Sequence, residues 1–268
     1  MKWMCEFFGI SRAAFYLWKK RDDDPGNDER KTQILEAYII AKKRYGYRRI
    51  CIWLRKHKGI VINHKAILRL MNEMGICSIA RKRLPWNEKT AIESAHCYDN
   101  VLHREFSATK PNQKWTTDIT FIPTTKGWVY LSAIKDLHDN FIVAHKISKK
   151  KDTHLVNETI KMACINEKVT DGLILHSDQG TQYSSHSYYS LIQQYNIIPS
   201  MSRRGNCWDN APIENFFGHL KEELIRHIRI RDIEEAKELI DEYIHFFNYE
   251  RIQLKTKQTP YEIRCLSV

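Results

Sequence analysis

As far as Gly75, apolar side chains recur every three to four positions, the spacing of one helical face. Residues 3–8 and 12–20 read as two helices around Gly9-Ile10-Ser11, with Ser11 as an N-cap. The run Asp22-Asp23-Asp24-Pro25-Gly26-Asn27 breaks the pattern, and a helical period resumes over 29–44 with Ile34, Leu35, Tyr38, Ile39 and Ala41 apolar. Tyr45-Gly46-Tyr47 turns the chain into a short helix over 48–57, with Ile50, Trp53 and Leu54 inward and Arg48, Arg49, Arg55 and Lys56 outward. Asn63 caps a further helix ending near Gly75, with Ala66, Ile67, Leu70 and Met74 on one stripe and His64, Lys65 and Arg69 on the outer face. This last pair has the layout of a helix-turn-helix, whose second helix would enter a DNA major groove. An ordinary αα-hairpin shows the same pattern.

From Gln113 the period changes to two. Lys114–Phe121, Gly127–Lys135 and Phe141–Ile147 read as three strands joined by short turns, an antiparallel meander. A helix over 152–168, an apolar strand at Leu173-Ile174-Leu175-His176, a helix over 186–195, a brief strand at Ile197-Ile198 and a helix over 210–226 follow. Ile233–Tyr249 closes the series as an amphipathic helix with Ala236, Leu239, Ile240, Tyr243, Ile244 and Phe247 on its apolar side. The expected organisation is a helical region over 1–90, a linker over 91–110, an α/β core over 111–228 and a C-terminal helix and tail over 229–268.

Charge sharpens this division. Residues 1–90 carry 21 Lys and Arg against 9 Asp and Glu, while residues 91–268 carry 22 against 23. The whole excess of +11 therefore lies in the helical front end, which points to a polyanionic partner there. Ala80-Arg81-Lys82-Arg83-Leu84-Pro85 reads as a basic extended connector on phosphate backbone, with Arg81, Lys82 and Arg83 as contacts. No apolar run is long enough for a membrane helix, and Met1–Ile10 lacks the form of a signal peptide. The seven cysteines are widely spaced without a Cys-x-x-Cys, which argues against a disulfide framework or a thiolate zinc site and for small buried hydrophobes in a reducing cytosol.

Three carboxylates stand in improbable places. Asp118 falls mid-strand, where aspartate is disfavoured. Asp178 directly follows the buried strand, where α/β sheets place ligand sites. Glu214 opens a helix after Asn210, a candidate cap, and Pro212. Taken singly each has a structural explanation, a turn or the helix dipole. Together they form an all-oxygen set suited to Mg²⁺ or Mn²⁺, and a pair of such ions promotes in-line phosphoryl displacement.

Asp118 and Asp178 are separated by 59 residues, and Asp178 and Glu214 by 35. The words Trp115-Thr116-Thr117-Asp118-Ile119-Thr120, His176-Ser177-Asp178-Gln179-Gly180-Thr181-Gln182-Tyr183-Ser184 and Asn206-Cys207-Trp208-Asp209-Asn210-Ala211-Pro212-Ile213-Glu214-Asn215-Phe216-Phe217 accompany them. Arg44-Tyr45-Gly46-Tyr47-Arg48-Arg49-Ile50 and Asn248-Tyr249-Glu250-Arg251 flank the series. In these words and their order the chain resembles the IS-three family of insertion-sequence transposases, second open reading frame, and through it the retroviral integrases.

The resemblance implies an RNase H-like integrase core, a mixed five-stranded sheet with helices, preceded by the helix-turn-helix-like basic region. It implies a DDE transposase that cleaves and joins DNA strands at element ends, with Asp118, Asp178 and Glu214 as catalytic metal ligands for two Mg²⁺ (or Mn²⁺) ions. The implied partners are double-stranded DNA at element ends and target, a homo-oligomer on that DNA, and the upstream frame's product. The chain begins at its own Met1 and lacks that frame, so it is expected to be incomplete as a transposase by itself. The implied location is the bacterial cytoplasm, at the nucleoid. Lys221 lies two helical turns after Glu214, at the offset where integrases place a DNA-touching base. Arg203 and Arg204 precede a Gly205-Asn206 loop that would grip DNA, with Trp208 a packing anchor beside the site. His57, His64, Cys77 and Cys97 lack the spacing of the retroviral zinc module, so no zinc is expected. A non-catalytic repressor using residues 1–90, an RNase H-type nuclease and a plain α/β protein with a basic surface stay open as alternatives.

Overall fold

The structure is a computed structural model, and it describes residues 2–13, 15–16, 26–79, 97–167, 169, 172–203 and 206–266. The chain divides into two units, Met1–Ala80 and Arg81–Val268.

The first unit is helical. Helix α1 spans Lys2–Phe7, α2 Gly26–Ile40, α3 Tyr47–Lys58 and α4 His64–Glu73. Residues 12–13 and 15–16 are also helical, and the remainder of the expected 12–20 helix lies outside the described residues. Asn63 Oδ1 accepts the Lys65 N–H at 2.9 Å to start α4, and Gly59 at φ +68° stops α3 in the left-handed conformation. Ile34, Ala37, Tyr38, Ile50, Leu54, Ile67 and Leu70 are buried together as the unit's core. On α2 the stripe is narrower than expected. Leu35 and Ile39 are exposed because only Ile34, Ala37, Tyr38 and Ala41 fall at the i, i+3, i+4, i+7 positions of the buried face.

The second unit is a five-stranded sheet with helices. Strands β1 (Lys114–Thr124), β2 (Gly127–Asp136) and β3 (Ile142–Ser148) pair antiparallel, while β4 (Ile174–Ser177) and β5 (Ile198–Met201) add in parallel, in the order β3-β2-β1-β4-β5. Helices α5 (Thr153–Glu167) and α6 (His186–Gln194) bury Val156, Ile160, Tyr188 and Ile192 against Trp115, Ile134 and Leu175. Helix α7 (Ala211–Glu223) follows a 3-10 turn at Cys207–Asn210, and α8 (Ile233–His245) widens into a π-helical turn at Phe246–Glu250.

That widened turn explains the Asn248-Tyr249-Glu250-Arg251 word. Asn248 accepts the Ile142 N–H at 2.9 Å and donates to the Ile142 carbonyl at 3.0 Å, tying the turn to β3. Arg251 reaches the buried Glu223 of α7 through Nη2 at 2.7 Å, and the Tyr243 hydroxyl donates to the same carboxylate at 3.0 Å. A further helix, α9 (Pro260–Cys265), is not anticipated by apolar periodicity; it is too short to show any, and its signal is the capping box of Thr259 and Glu262. Its Arg264 binds Asp139 at 2.7 Å, Asp136 at 3.3 Å, and Glu167. The cysteines depart from expectation. Among the described ones Cys5 and Cys164 are buried and Cys51 half-buried, but Cys77, Cys97 and Cys265 are exposed, and none is in a disulfide. No helix of the described residues is long and apolar enough to cross a membrane.

Candidate active site

The three acids come from three elements that the sheet brings together. Asp118 lies on β1, which runs between β2 and β4 rather than at an edge. It is half-buried, and Oδ1 accepts the following Ile119 N–H at 2.7 Å. Asp178 follows β4, the parallel neighbour of β1, so both strands deliver their acids toward the same end of the sheet. Asp178 Oδ1 accepts the Gly180 N–H at 3.0 Å, which folds the loop back over its carboxylate. Gly180 suits this close approach, since a Cβ there would lie 2.9 Å from that oxygen and push the carboxylate aside. Glu214 projects from the first turn of α7 and is exposed.

The electrostatics show that these groups feel one another. Burial raises the Asp118 pKa to about 7, Asp178 adds to the rise and Glu214 adds less, while the Ile119 N–H and Lys151 oppose it. Among the described residues no three His, Cys, Asp or Glu side chains are gathered tightly enough to cage an ion outright. What the acids share is a repulsive field that a divalent cation would relieve, and their oxygen-only donors suit a hard ion.

Two side chains that sequence reasoning missed hold α7 to the sheet. Asn210 is not a side-chain cap. Its amide donates to the Thr117 carbonyl at 3.1 Å, adjacent to Asp118, and the side chain is buried. Lys135 is buried inside β2 and donates to the Pro212 carbonyl at 3.0 Å, two residues before Glu214. A register shift in the β2–β3 pairing falls between Ile134 and Lys135, and such irregularities re-aim side chains. Burial, then the nearby Arg251, lowers the Lys135 pKa to about 7. A lysine in an apolar strand carries no sequence signal of this role, because an outward-pointing lysine reads identically. Below the acids, the buried Tyr183 shares a 3.3 Å hydrogen bond with the Thr117 hydroxyl.

A second network braces the turn before α7. Asp209 is fully buried and accepts from Arg203 Nε at 2.9 Å, Arg203 Nη2 at 3.0 Å, Arg104 Nε at 2.6 Å and Asn100 at 3.1 Å. The Arg203 hydrogen bond, foremost among these, holds its pKa far below the usual carboxylate range. His176 lies between the Ser200 hydroxyl at 2.8 Å and the Ser202 hydroxyl at 3.1 Å, and burial pushes it down to about 4, so its ring is neutral at pH 7.

The remaining sequence-designated residues are dispersed. Arg203 is therefore engaged with Asp209, although its side chain is largely exposed. Lys221 places Nζ 4.5 Å from the Phe121 ring centroid. In the helical unit Arg48 and Lys65 are exposed, Arg49 is half-buried, and Arg69 is shared between Glu73 at 3.4 Å and Asn27 at 3.4 Å. Arg81, Lys82, Arg83 and Arg204 lie outside the described residues. Trp208 is not a packing anchor. It is 71% exposed, because the turn buries Asp209 and Asn210 on either side of the next bond instead.

Comparison with known proteins matches both units to described families. Residues 108–207 and 214–267 match models described as integrase core domains, and residues 25–83 match one described as an HTH-like domain. The chain is 37% identical to the putative transposase InsK for insertion sequence element IS150 of Escherichia coli, over 95% of this chain and 90% of the relative. It is 31% identical to the transposase InsF for insertion sequence IS3A of the same species, over 88% and 84%. Among solved structures, the intasome of simian T-cell lymphotropic virus in complex with the PP2A regulatory subunit B56 gamma shares the fold, with a TM-score of 0.53 and 14% identity over 85% of this chain and 73% of that one.

Proposed function

The chain belongs to the IS-three family of insertion-sequence transposases, with an RNase H-like integrase core, and from that premise we propose that Asp118, Asp178 and Glu214 are its catalytic set. The activity is polynucleotidyl transfer in the transposition of an insertion sequence. The proposed sequence of events is attack by water, then by the freed 3′-hydroxyl, on a DNA phosphodiester, with no covalent protein–DNA intermediate.

The observation that carries this reading is the register of β1 with the parallel β4, which brings Asp178, just past the end of β4, to the same end of the sheet as Asp118, while Asn210 ties the start of α7 to the residue before Asp118. These residues would hold Mg²⁺ or Mn²⁺, two ions in the family's manner, and the ions when bound supply charge neutralisation and Lewis-acid polarisation at the phosphodiester. The chain's own residues do the positioning. Asn210 and Lys135 fix the start of α7, and thus Glu214, against the strand that carries Asp118. Gly180 leaves the Asp178 carboxylate room to face the same end of the sheet.

DNA is the partner in this reading. The exposed Arg48 and Lys65 and half-buried Arg49 and Arg69 of the helical unit fit phosphate contacts, as does Lys221 near the acids. Arg81, Lys82, Arg83, Arg203 and Arg204 belong to the same proposed set. A homo-oligomer on DNA and a contribution from an upstream frame's product complete the proposal. The test is strand transfer on labelled terminal-repeat duplex with Mg²⁺. Asp118→Asn, Asp178→Asn and Glu214→Gln are each expected to lower it by at least roughly 10³-fold while gel-shift affinity persists. Substantial transfer by all three variants would refute the assignment.

A further inference from the structure

Trp208 is the most conspicuous side chain beside the site that the mechanism leaves unused. A tryptophan left 71% exposed forgoes burial of one of the largest apolar surfaces a residue offers. The other exposed tryptophans among the described residues meet a neighbouring ring: Trp3 stacks on Phe7 at 5.5 Å and Trp128 meets Phe121 edge-on at 5.2 Å. Among the described residues Trp208 has no such partner.

Its backbone, by contrast, is firmly held. Trp208 lies in the 3-10 turn Cys207–Asn210, and Asp209 beside it is fully buried under Arg203, Arg104 and Asn100. Asn210 is bonded to the Thr117 carbonyl next to Asp118, and Glu214 begins one helical turn later. The indole is thus presented to solvent from a braced turn that leads into the helix of Glu214 and is tied to the strand of Asp118. A side chain held out in this way loses little backbone freedom when something covers it.

The substrate supplies a reason to cover it. Asp118 and Asp178 are half-buried, and a strand parted from its complement reaches into such a recess more readily than an intact duplex does. Opening a base pair costs a few kcal/mol, which stacking of the freed base on an aromatic face offsets. Resting on the catalytic reading above, we propose that Trp208 is a base-stacking residue that receives a nucleobase unpaired beside the reacting phosphodiester and holds the DNA end open.

The test places 2-aminopurine in the complementary strand, opposite the base beside the reacting bond, where it loses its partner without meeting the indole, and follows both its fluorescence and Mg²⁺-dependent cleavage of the terminal-repeat duplex. The wild-type chain is expected to raise the fluorescence on binding, and Asp118→Asn to raise it equally, because opening precedes chemistry. Trp208→Ala is expected to abolish the rise and slow cleavage by roughly 5- to 100-fold. Trp208→Phe should keep most of both. A two-base mismatch at the same position should restore cleavage by Trp208→Ala to near the wild-type rate. An alanine variant that matches wild type on the paired duplex overturns the proposal, as does a defect that persists undiminished on the mismatched one. A wild-type chain that opens the end but fails to cleave it even with the upstream frame's product supplied would sink the catalytic reading while leaving the assignment of Trp208 standing.

Discussion

The two units of this chain are specified in different ways. In the helical unit the interior is ordinary aliphatic packing around Ile34, Ile50, Leu54, Ile67 and Leu70, and Arg48 and Lys65, both designated for DNA, stand exposed on its surface. In the sheet unit polar side chains around the acids are held by defined partners, as Asn210 on Thr117, Lys135 on Pro212 and Arg203 on Asp209 show. The difference follows from what each task needs. Attraction to a polyanion depends on charge within a Debye length, about 10 Å at 0.1 M salt, and tolerates loose side chains. Phosphoryl transfer depends on groups held to fractions of an ångström.

The comparison can be broken most severely at the buried pair of Glu223 and Arg251. Arg251→Met leaves a buried carboxylate uncompensated and is expected to cost about 3–5 kcal/mol of stability in the sheet unit, read as the urea midpoint. A loss below about 1 kcal/mol would show that this network is not what braces α7.

Next in size is Lys135→Met, which removes the bond to Pro212 without opening a large cavity. Strand transfer is expected to fall roughly 10-fold or more with DNA affinity unchanged, as geometry at the reacting centre demands. An equal fall in affinity and rate would argue for general unfolding instead.

The acids themselves give a pH signature. The Asp118 pKa in the folded state, about 7, exceeds its ordinary value, so the protein without cation loses stability as pH rises from about 4 toward 7 and stays penalised above. Because the side chain is partly solvated, the penalty at pH 8 is on the order of 1–2 kcal/mol. Asp118→Asn is therefore expected to melt higher than the parent at pH 8, with the difference vanishing near pH 4. Mg²⁺ should stabilise the parent more at pH 8 than at pH 5, and the variant little at either. A magnesium shift independent of pH and of Asp118 would count against the acids as ligands.

The smallest effects are expected in the helical unit. Lys65→Ala or Arg48→Ala should change stability by less than about 0.5 kcal/mol, since both are exposed. Each should weaken DNA binding a few-fold and reduce the salt-dependence slope by about 1, measured by titration at several salt concentrations.

How much of this was legible in the sequence varies with the range of the interaction. Asp118, Asp178 and Glu214 could be found because each violates a local preference, and the strands and helices around them carry their own periodicity. The clamps could not. Lys135 and Pro212 are joined only by the sheet's topology, and nothing near either residue reports the other. Asn210 looked like a helix cap because Asn before Ala-Pro usually is one, yet its amide is drawn to Thr117 by the packing of α7. Trp208 misled in the opposite sense. Large aromatics are usually buried, and only the burial of both following residues reveals that the indole has been turned outward.

Arg264, on the last helix, stands against Asp136, Asp139 and Glu167, residues laid down a hundred or so positions earlier. Two of those acids, Asp136 and Asp139, are wholly enclosed, and Arg264 donates a hydrogen bond to each. The short helix α9 thus works as a clasp: one guanidinium knots the end of β2, the turn before β3 and the end of α5 together, so the helix cannot lift away without stripping counter-charge from acids held inside.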